Sequence, residues 1–404
     1  MIPFSPPRID DEIIAEVVAA MKSGWITTGP RTKNFERMLT AFNGNQSTLC
    51  VNSATAGLEL VLRWFGVGPG DEVIVPAYTY CATANVVLHC GATPVMVDVL
   101  PDTFNIDPDK IAEKISACTK AIIPVDIAGF PADYDAINQL VNNEELRRKF
   151  TPRNPNQRKL GRILVLSDAA HSLGAIYNGK STGSLCDITV FSFHAVKNLT
   201  TAEGGAIAFN LPESFDNEEV YKFCNIFGLH GQSKDALAKL SGKASWKYDV
   251  IMPGYKVNMT DMQAAMGIVE LRRYREDTLQ KRKAIFEYYQ TAFAKYDWAI
   301  SPTCRDKKSE SSYHVYLLRI KNISEEIRDN MIIDIFGSEV SVNVHFQPLP
   351  LLSAYKYLGY RMQDFPVAYA NYANEISLPV FYDLTEEMCQ QVVEAVVHAY
   401  NQIK

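Results

Sequence analysis

Residues 163–174 read Ile-Leu-Val-Leu-Ser-Asp-Ala-Ala-His-Ser-Leu-Gly, an apolar run that is closely followed by a carboxylate. Such a run is typical of a strand in a parallel sheet, because helices cover both faces of that sheet. In open parallel sheets, ligands bind beyond the carboxyl ends of the strands. Asp168 is predicted to lie at that edge, where a buried carboxylate needs a cation or hydrogen-bond donors. Three alternatives would satisfy the Asp168 carboxylate: a ligand with a protonated ring nitrogen, a structural arginine, or the backbone donors of a helix that Asp168 caps.

Predicted strands and helices alternate regularly from about residue 48 to residue 209. Short apolar runs alternate with helical patterns of about ten residues, which is typical of βαβ units and a mostly parallel sheet. The predicted strands are 49–51, 72–75, 94–97, 121–125, 163–166, 189–192 and 206–209. The sequence therefore predicts an α/β fold built on one large sheet.

The pattern changes after residue 253. A long helical stretch, predicted as one helix or two over 262–289, precedes shorter strands at 313–320 and 340–344 and a closing helix from Glu386. Two units of ordinary size fit the length of 404 residues. We predict a large domain over 1–250 with an N-terminal arm, connecting helices over 251–289 and a small α+β domain over 290–404.

Composition limits the class of protein. With 47% hydrophobic and 21% charged residues, the chain is predicted to be globular. The net charge of −6 argues against general binding to nucleic-acid phosphates but leaves small anionic ligands open. No apolar run is long enough for a membrane span, and acidic residues near the start argue against a secretion signal. The eight cysteines show no CxxC spacing, so we predict reduced thiols in a cytoplasmic protein and no metal site.

A second feature is the stretch Val-Asn-Ser-Ala-Thr-Ala-Gly at residues 51–57, between a predicted strand and a predicted helix. Small residues let backbone N–H groups approach an anion, and the helix N-terminus adds partial positive charge. Ser53 and Thr55 are candidate hydroxyl donors. The alternative is a plain N-cap without a ligand. The spacing is not that of a Walker loop, which argues against a nucleoside triphosphate.

The third feature is Phe-Ser-Phe-His-Ala-Val-Lys-Asn-Leu-Thr-Thr-Ala-Glu-Gly-Gly at residues 191–205. Lys197 lies among apolar and hydroxyl residues, where desolvation lowers a lysine pKa and yields a nucleophilic amine that can form a Schiff base. A surface lysine is the alternative. Ser192 is a candidate donor to an anion nearby. His171 follows Asp168 by three residues and faces either the same crevice or a structural partner.

An anion cradle, a buried carboxylate and a desolvated lysine together suit pyridoxal 5′-phosphate. The cofactor phosphate binds at the helix N-terminus, the carboxylate keeps the pyridine nitrogen protonated, and the lysine holds the aldehyde. This cofactor is the ligand that the residues predict.

Several ordered motifs then make the match specific: S-F-H-A-V-K-N-L-T-T-A-E-G-G, D-A-A-H-S-L-G, N-S-A-T-A-G-L, G-W-I-T-T-G-P and Y-K-V-N-M-T-D-M-Q-A-A-M-G. Nearly end to end, the chain closely resembles the DegT/DnrJ/EryC1/StrS family of pyridoxal phosphate-dependent nucleotide-sugar aminotransferases. The resemblance implies fold type I, the aspartate aminotransferase-like fold, with a seven-stranded type of sheet and a small C-terminal domain.

By this resemblance, Lys197 is the Schiff-base lysine and moves the proton between cofactor and substrate carbons. Asp168 pairs with the pyridine nitrogen, and His171 lies near the phenolic oxygen. Tyr80 matches the aromatic residue that stacks on the ring; the alternative is a core tyrosine at a helix start. Lys197 also favours transamination over the dehydratase members of the family, which carry histidine there.

The resemblance also assigns the phosphate. Ala54 and Thr55 provide backbone donors and Ser192 a hydroxyl, although the family often has Gly-Thr where this chain has Ala54-Thr55. Asn258 matches a residue that reaches the phosphate of the neighbouring subunit, which implies a homodimer with shared sites. A polar residue at a helix start is the alternative for Asn258.

Substrate contacts are assigned to Thr28, His230 and His345, with a structural histidine as the alternative for the last two. The segment after Lys197 resembles members that aminate C4 of a 4-keto sugar. The expected substrates are L-glutamate as amino donor and a UDP-linked 4-keto-6-deoxy-hexose, with or without a 2-acetamido group, for surface polysaccharide or glycan biosynthesis. A 3-keto nucleotide sugar, or a regulatory homologue that binds the cofactor without turnover, are the alternatives.

Overall fold

The computed structural model describes residues 1–233 and 247–403 and is organised around a seven-stranded sheet. Its strands lie in the order β1 (Ser47–Val51), β9 (Gly205–Phe209), β8 (Ile188–Ser192), β5 (Leu164–Asp168), β4 (Thr119–Ile122), β2 (Glu72–Pro76) and β3 (Thr93–Val97). All neighbouring pairs from β8 to β3 are parallel, whereas β9 runs antiparallel to both β1 and β8. Two small sheets of three strands each accompany the large sheet. One has the order β11 (Ser309–Glu310), β6 (Ile176–Tyr177) and β7 (Lys180–Ser181), and the other the order β10 (Ala299–Ile300), β12 (Tyr316–Ile320) and β13 (Glu375–Leu378). The α/β class and the mostly parallel sheet are therefore as predicted.

Helices flank the large sheet in the N-terminal part of the chain and pack in a separate core in the C-terminal part. They are Asp11–Lys22, Pro30–Asn43, Ala54–Trp64, Ala82–His89, Pro108–Lys114, Tyr134–Asn142, Glu144–Lys149, Pro155–Leu160, Asn217–Phe227, Asp261–Arg273, Leu279–Phe293, Glu325–Gly337, Ser353–Tyr357, Pro366–Ala373 and Glu386–Gln402. All five residues of β5 are buried, as expected for a strand covered on both faces.

The long helical stretch predicted over 262–289 is two helices, Asp261–Arg273 and Leu279–Phe293, joined by a π-helical turn at Tyr274–Thr278. The predicted strand at 340–344 is wrong. Val340 bridges Ile2 and Asn343 bridges Ser377, so two different partners replace the continuous ladder that a strand needs. The predicted strand at 313–320 is shorter, because β12 pairs with β13 only from Tyr316 onward.

The C-terminal part of the chain has a core of its own. Its buried side chains come from the helices Leu279–Phe293, Glu325–Gly337 and Glu386–Gln402 and from β12 and β13, and Ile2 joins them. Ile2 N donates to Glu339 O over 2.7 Å. The arm at the start of the chain thus packs against the C-terminal core, while domain boundaries near residues 250 and 290 stay a prediction.

Among the helices in residues 1–233 and 247–403, none combines the length and the apolar character that a membrane span requires. All eight cysteines are unpaired.

Candidate active site

A cavity of about 460 Å³ lies beyond the carboxyl ends of β5 and β8. Eight of the eleven predicted site residues line it: Ala54, Thr55, Tyr80, Asp168, His171, Ser192, Lys197 and His345. Residues that are far apart in the sequence meet here because parallel strands end at a common edge of the sheet.

Asp168 is the last residue of β5 and is 6% exposed. Its Oδ2 accepts a hydrogen bond from Thr83 Oγ1 at 2.8 Å, and its Oδ1 accepts one from the Ala170 backbone at 3.3 Å. Burial raises the pKa of this carboxyl, and the Lys197 ammonium is among the groups that oppose the rise. Within the described residues, no cation lies within 4.0 Å of Asp168 in an ion pair. The carboxylate is thus held by two donors and is open to a cationic ligand group.

Lys197 lies in the turn that follows β8, where its backbone N–H donates to His194 O at 2.9 Å. Burial lowers the pKa of its amine to about 8, and the Asp168 carboxylate opposes that shift. A larger fraction of free amine is therefore present at neutral pH than for an exposed lysine, and the free amine is the nucleophile.

The helix Ala54–Trp64 begins at the cavity. Ser53 is its N-cap and accepts a hydrogen bond from Ala56 N at 3.1 Å. The first-turn N–H groups of a helix have no intrahelical acceptor, so those of Ala54 and Thr55 are available to an anion. A Cβ on Gly205 would come within 2.6 Å of Ala54 N, so only glycine lets β9 approach this turn. Ser192, the last residue of β8, lines the same cavity.

His171 and His314 form a buried pair whose ring centroids are 4.3 Å apart. Burial lowers the pKa of both rings well below the usual range, so both are neutral. His314 Nδ1 is hydrogen-bonded at 2.7 Å to Oδ1 of Asn198, the residue that follows Lys197 in the chain. His171 Nδ1 is buried without a hydrogen-bond partner. A buried nitrogen in that state is available to a ligand that enters the cavity.

His345 lines the cavity, and its ring stacks on Phe4 at 5.4 Å with an interplanar angle of 16°. Burial lowers the pKa of His345 to about 3, so the ring is neutral. The start of the chain closes this side of the cavity, since Ser5 Oγ also donates to Val196 O at 3.3 Å. Tyr80 is 60% exposed at the cavity, 5.9 Å from Phe346 between ring centroids.

Three predicted residues lie outside the lining of this cavity. Asn258 Nδ2 donates to Thr28 Oγ1 at 2.6 Å, and Thr28 Oγ1 donates to Met259 O. His230 is exposed, and its backbone N–H donates to Tyr255 O at 2.7 Å. In a single copy of the chain, none of these three residues lines the cavity that contains Lys197.

Sequence reasoning missed Thr83, His314 and Phe4. Thr83 lies near the start of a helix, His314 precedes β12, and Phe4 belongs to the arm. None carries a local motif. Thr83 reaches Asp168, and His314 and Phe4 reach the cavity, only because the fold brings distant parts of the chain together.

The residues present fit pyridoxal phosphate. Free amides at a helix N-terminus suit its phosphate, and a buried carboxylate without an ion pair suits its pyridine nitrogen. The amine of Lys197 suits its aldehyde, and the unpartnered His171 Nδ1 is a ready partner for an oxygen of the ring.

Comparison with known proteins agrees with this fit. The family model described as the DegT/DnrJ/EryC1/StrS aminotransferase family matches residues 7–148 and 157–397. The spore coat polysaccharide biosynthesis protein SpsC of Bacillus subtilis is 37% identical over 398 residues, which cover 98% of this chain and 96% of SpsC.

Solved structures are similar over the whole chain. Spr1654 of Streptococcus pneumoniae, proposed to be a sugar aminotransferase and solved in its PMP form, is 47% identical with a TM-score of 0.96, covering 100% of both chains. PseC of Helicobacter pylori, an aminotransferase involved in the biosynthesis of pseudoaminic acid, is 27% identical with a TM-score of 0.86, covering 99% of both chains.

The predictions of the family, of the fold-type I class, of aminotransferase activity and of pyridoxal phosphate as cofactor are confirmed by these matches. The individual residue roles stay predictions that the geometry supports. The chain belongs to the DegT/DnrJ/EryC1/StrS aminotransferase family.

Proposed function

We propose that this enzyme transfers the amino group of L-glutamate to the keto carbon of a nucleotide-linked sugar. The substrate we favour is a UDP-linked 4-keto-6-deoxy-hexose, with or without a 2-acetamido group, and the product serves surface polysaccharide or glycan biosynthesis. The observation that carries the proposal is the half-buried, partly desolvated amine of Lys197 in one cavity with Asp168 and a helix start whose free amides suit an anion. The relation to SpsC and PseC, which act in polysaccharide and pseudoaminic acid biosynthesis, supports a sugar as acceptor.

Bound pyridoxal phosphate supplies an electron sink for cleavage of the donor Cα–H bond and carries the amino group between the two substrates. In this chain Lys197 would hold the cofactor aldehyde, and as a free amine it would move the proton at the substrate carbon. Asp168 would keep the pyridine nitrogen protonated, because pairing with that cation favours the ionised form of a carboxyl whose pKa burial otherwise raises. Ala54, Thr55 and Ser192 would hold the phosphate.

We further propose a homodimer in which Asn258 reaches the phosphate of the partner's site, and Thr28 and His230 reach the sugar there. The contact between Asn258 and Thr28 supports this arrangement, because it joins two side chains that do not line the cavity of their own subunit. The same proposal places the enzyme in the cytoplasm, where thiols stay reduced.

The test is a panel of nucleotide-linked 4-keto and 3-keto sugars, incubated with holoenzyme and L-glutamate and analysed by mass spectrometry. The proposal expects an aminated 4-keto sugar and formation of 2-oxoglutarate. If only the 3-keto sugars are aminated, the 4-keto assignment is wrong and a 3-keto nucleotide sugar is the substrate. Loss of visible absorbance of the bound cofactor on adding glutamate separates an active transaminase from a regulatory homologue, which keeps its absorbance.

A further inference from the structure

His345 and β13 share a closed loop of three hydrogen bonds, two of which join His345 to the strand while the third lies within it. His345 Nδ1 lies 2.9 Å from Ser377 Oγ, and Ser377 Oγ lies 2.6 Å from Glu375 Oε1. The other carboxyl oxygen, Oε2, accepts a hydrogen bond from the His345 backbone N–H at 3.1 Å. One ring nitrogen, Nε2, is left for a ligand in the cavity that His345 lines.

The small sheet β10-β12-β13, which contains Glu375 and Ser377, fixes this arrangement. Glu375 and Ser377 are two residues apart in β13, so their side chains lie on the same face of the strand. Two backbone hydrogen bonds between Asn343 and Ser377, of 3.1 and 2.7 Å, set the position of the segment that carries His345. Ser377 and Glu375 are both 0% exposed. The ring is therefore held by a rigid support that solvent does not reach.

The carboxyl of Glu375 has no ion-pair partner within 4.0 Å in the described parts of the chain. Arg328, although near, donates to the backbone oxygens of Glu375 and Tyr372 at 3.1 and 2.5 Å. Burying an unpaired carboxylate is costly, whereas a neutral carboxyl can be satisfied as a hydrogen-bond donor. The geometry thus favours the neutral acid.

The charges around the loop agree with that conclusion. Burial raises the pKa of Glu375 to about 8, and Ser377, the His345 backbone N–H, Arg328 and Arg319 oppose the rise without abolishing it. The phenol of Tyr78 is the further titratable group that interacts with Glu375. On the cavity side, His345 faces Lys197, His171 and His314, and both histidines are neutral through burial.

The protonation state of Glu375 determines which ring nitrogen of His345 carries the proton. A neutral Glu375 uses its one O–H to donate to Ser377 Oγ, since Oε2 already accepts from a backbone N–H. Ser377 then donates its own proton to His345 Nδ1, and the ring proton must sit on Nε2. An ionised Glu375 would reverse each donor and place the ring proton on Nδ1.

We propose that Glu375 and Ser377 are positioning residues that hold His345 in the Nε2–H tautomer, so that the cavity receives a hydrogen-bond donor for an oxygen acceptor of the substrate. Under the proposed function, on which this last clause rests, the acceptor is the keto oxygen or an adjacent oxygen of the sugar. The tautomer itself is independent of the substrate.

The tautomer can be measured by nitrogen NMR on holoenzyme labelled with ¹⁵N-histidine, with the His345 signals assigned from the Glu375→Gln and Ser377→Ala shifts and a His345→Gln variant. Wild type at pH 7 is expected to carry the proton on Nε2. Glu375→Gln mimics the neutral acid, because its amide N–H donates to Ser377 and its oxygen accepts from His345 N, and should keep that tautomer. An Nδ1 proton in wild type, or a switch in Glu375→Gln, would overturn the proposal.

Two further measurements separate positioning from a merely structural role. Raising the pH through about 8 should move the wild-type proton toward Nδ1 but leave Glu375→Gln unchanged. Ser377→Ala should raise KM for the keto sugar roughly tenfold, the loss of about one hydrogen bond, with the glutamate half-reaction unchanged. Ser377→Thr, which retains the hydroxyl, should restore KM if Ser377→Ala folds poorly. Exposed Ser338→Ala and Glu326→Gln are the matched controls, and equal effects in both half-reactions would contradict the positioning role.

Discussion

Thr83 Oγ1 donates a hydrogen bond to Asp168 Oδ2 across 2.8 Å and thereby connects a helix start to the carboxyl end of β5. Both side chains are buried, with Thr83 0% and Asp168 6% exposed. Thr83 is in turn 2.9 Å from Thr79 Oγ1, which completes its own hydrogen bonding. The carboxylate that we propose to serve the cofactor is therefore oriented by the fold of the chain itself.

Thr83→Val should remove this orientation while keeping the side-chain volume. We expect the dissociation constant of pyridoxal phosphate to rise roughly tenfold, the equivalent of about one hydrogen bond to a charged group. Fluorescence titration of cofactor-free protein measures it. The matched control is Thr93→Val at an exposed position of β3. An unchanged dissociation constant in a folded Thr83→Val variant would contradict the role of Thr83.

The buried amine of Lys197 should make the stability of the cofactor-free protein depend on pH. Its pKa is lowered from 10.5 to about 8, so between these values the unfolded chain binds more protons than the folded one. Stability therefore rises with pH through this window. Below pH 8, Lys197→Met should unfold at a higher temperature than wild type, and the difference should shrink toward pH 10.5. Calorimetry measures this, with exposed Lys114→Met as control, and a pH-independent difference would refute it.

The arm at the start of the chain should contribute to sugar binding through Phe4, which stacks on His345. A stacked aromatic pair contributes about 0.5–1.5 kcal/mol, so Phe4→Ala should raise KM for the keto sugar about two- to tenfold. The rate with glutamate should change little if the ring affects only the sugar. Steady-state kinetics of both half-reactions test this against Phe336→Ala, whose ring is 41% exposed. A KM equal to that of wild type would remove Phe4 from the site.

Shared active sites should be detectable in mixed dimers. Lys197→Ala removes the reactive amine, and Asn258→Asp places a negative charge where the partner's phosphate is proposed to bind. If the two residues serve different subunits' sites, random reassociation of the two inactive proteins restores about a quarter of wild-type activity, because half the dimers contain one intact site.

The control for that experiment is a mixture of Lys197→Ala with Asp168→Asn. Both residues line the same cavity of one chain, so no mixed dimer contains an intact site. Activity of the Lys197→Ala and Asn258→Asp mixture that equals this control would show that Asn258 acts within its own subunit or not at all.

Much of the site was predictable because its residues stand at the ends of strands. A buried strand has a continuous apolar pattern, and the polar residue after it marks the edge of the sheet where ligands bind. This pattern predicts Asp168 and the helix start at Ala54, whereas Ser192 is predicted from its nearness to Lys197 and from the family resemblance. Lys197 was found from its apolar surroundings, and the structure adds the burial that lowers its pKa.

The remaining residues carry no such local signal. Thr83, His314 and Phe4 act through contacts with residues that lie distant in the chain, and the strand predicted at 340–344 fails because Val340 and Asn343 pair with different partners. Hydrophobic periodicity describes which face of an element is buried, but it does not say which other element covers that face.

The sequence by itself determined the α/β class, the family and the three chemical groups that suit pyridoxal phosphate, because these depend on short-range patterns. Only the tertiary structure decided which side chains surround them: the neutral histidine pair, the stacking of Phe4 on His345 and the buried link from Glu375 through Ser377 to that ring. Hydrogen bonds and burial between distant segments arise from chain packing, and these set the pKa and the orientation of each group.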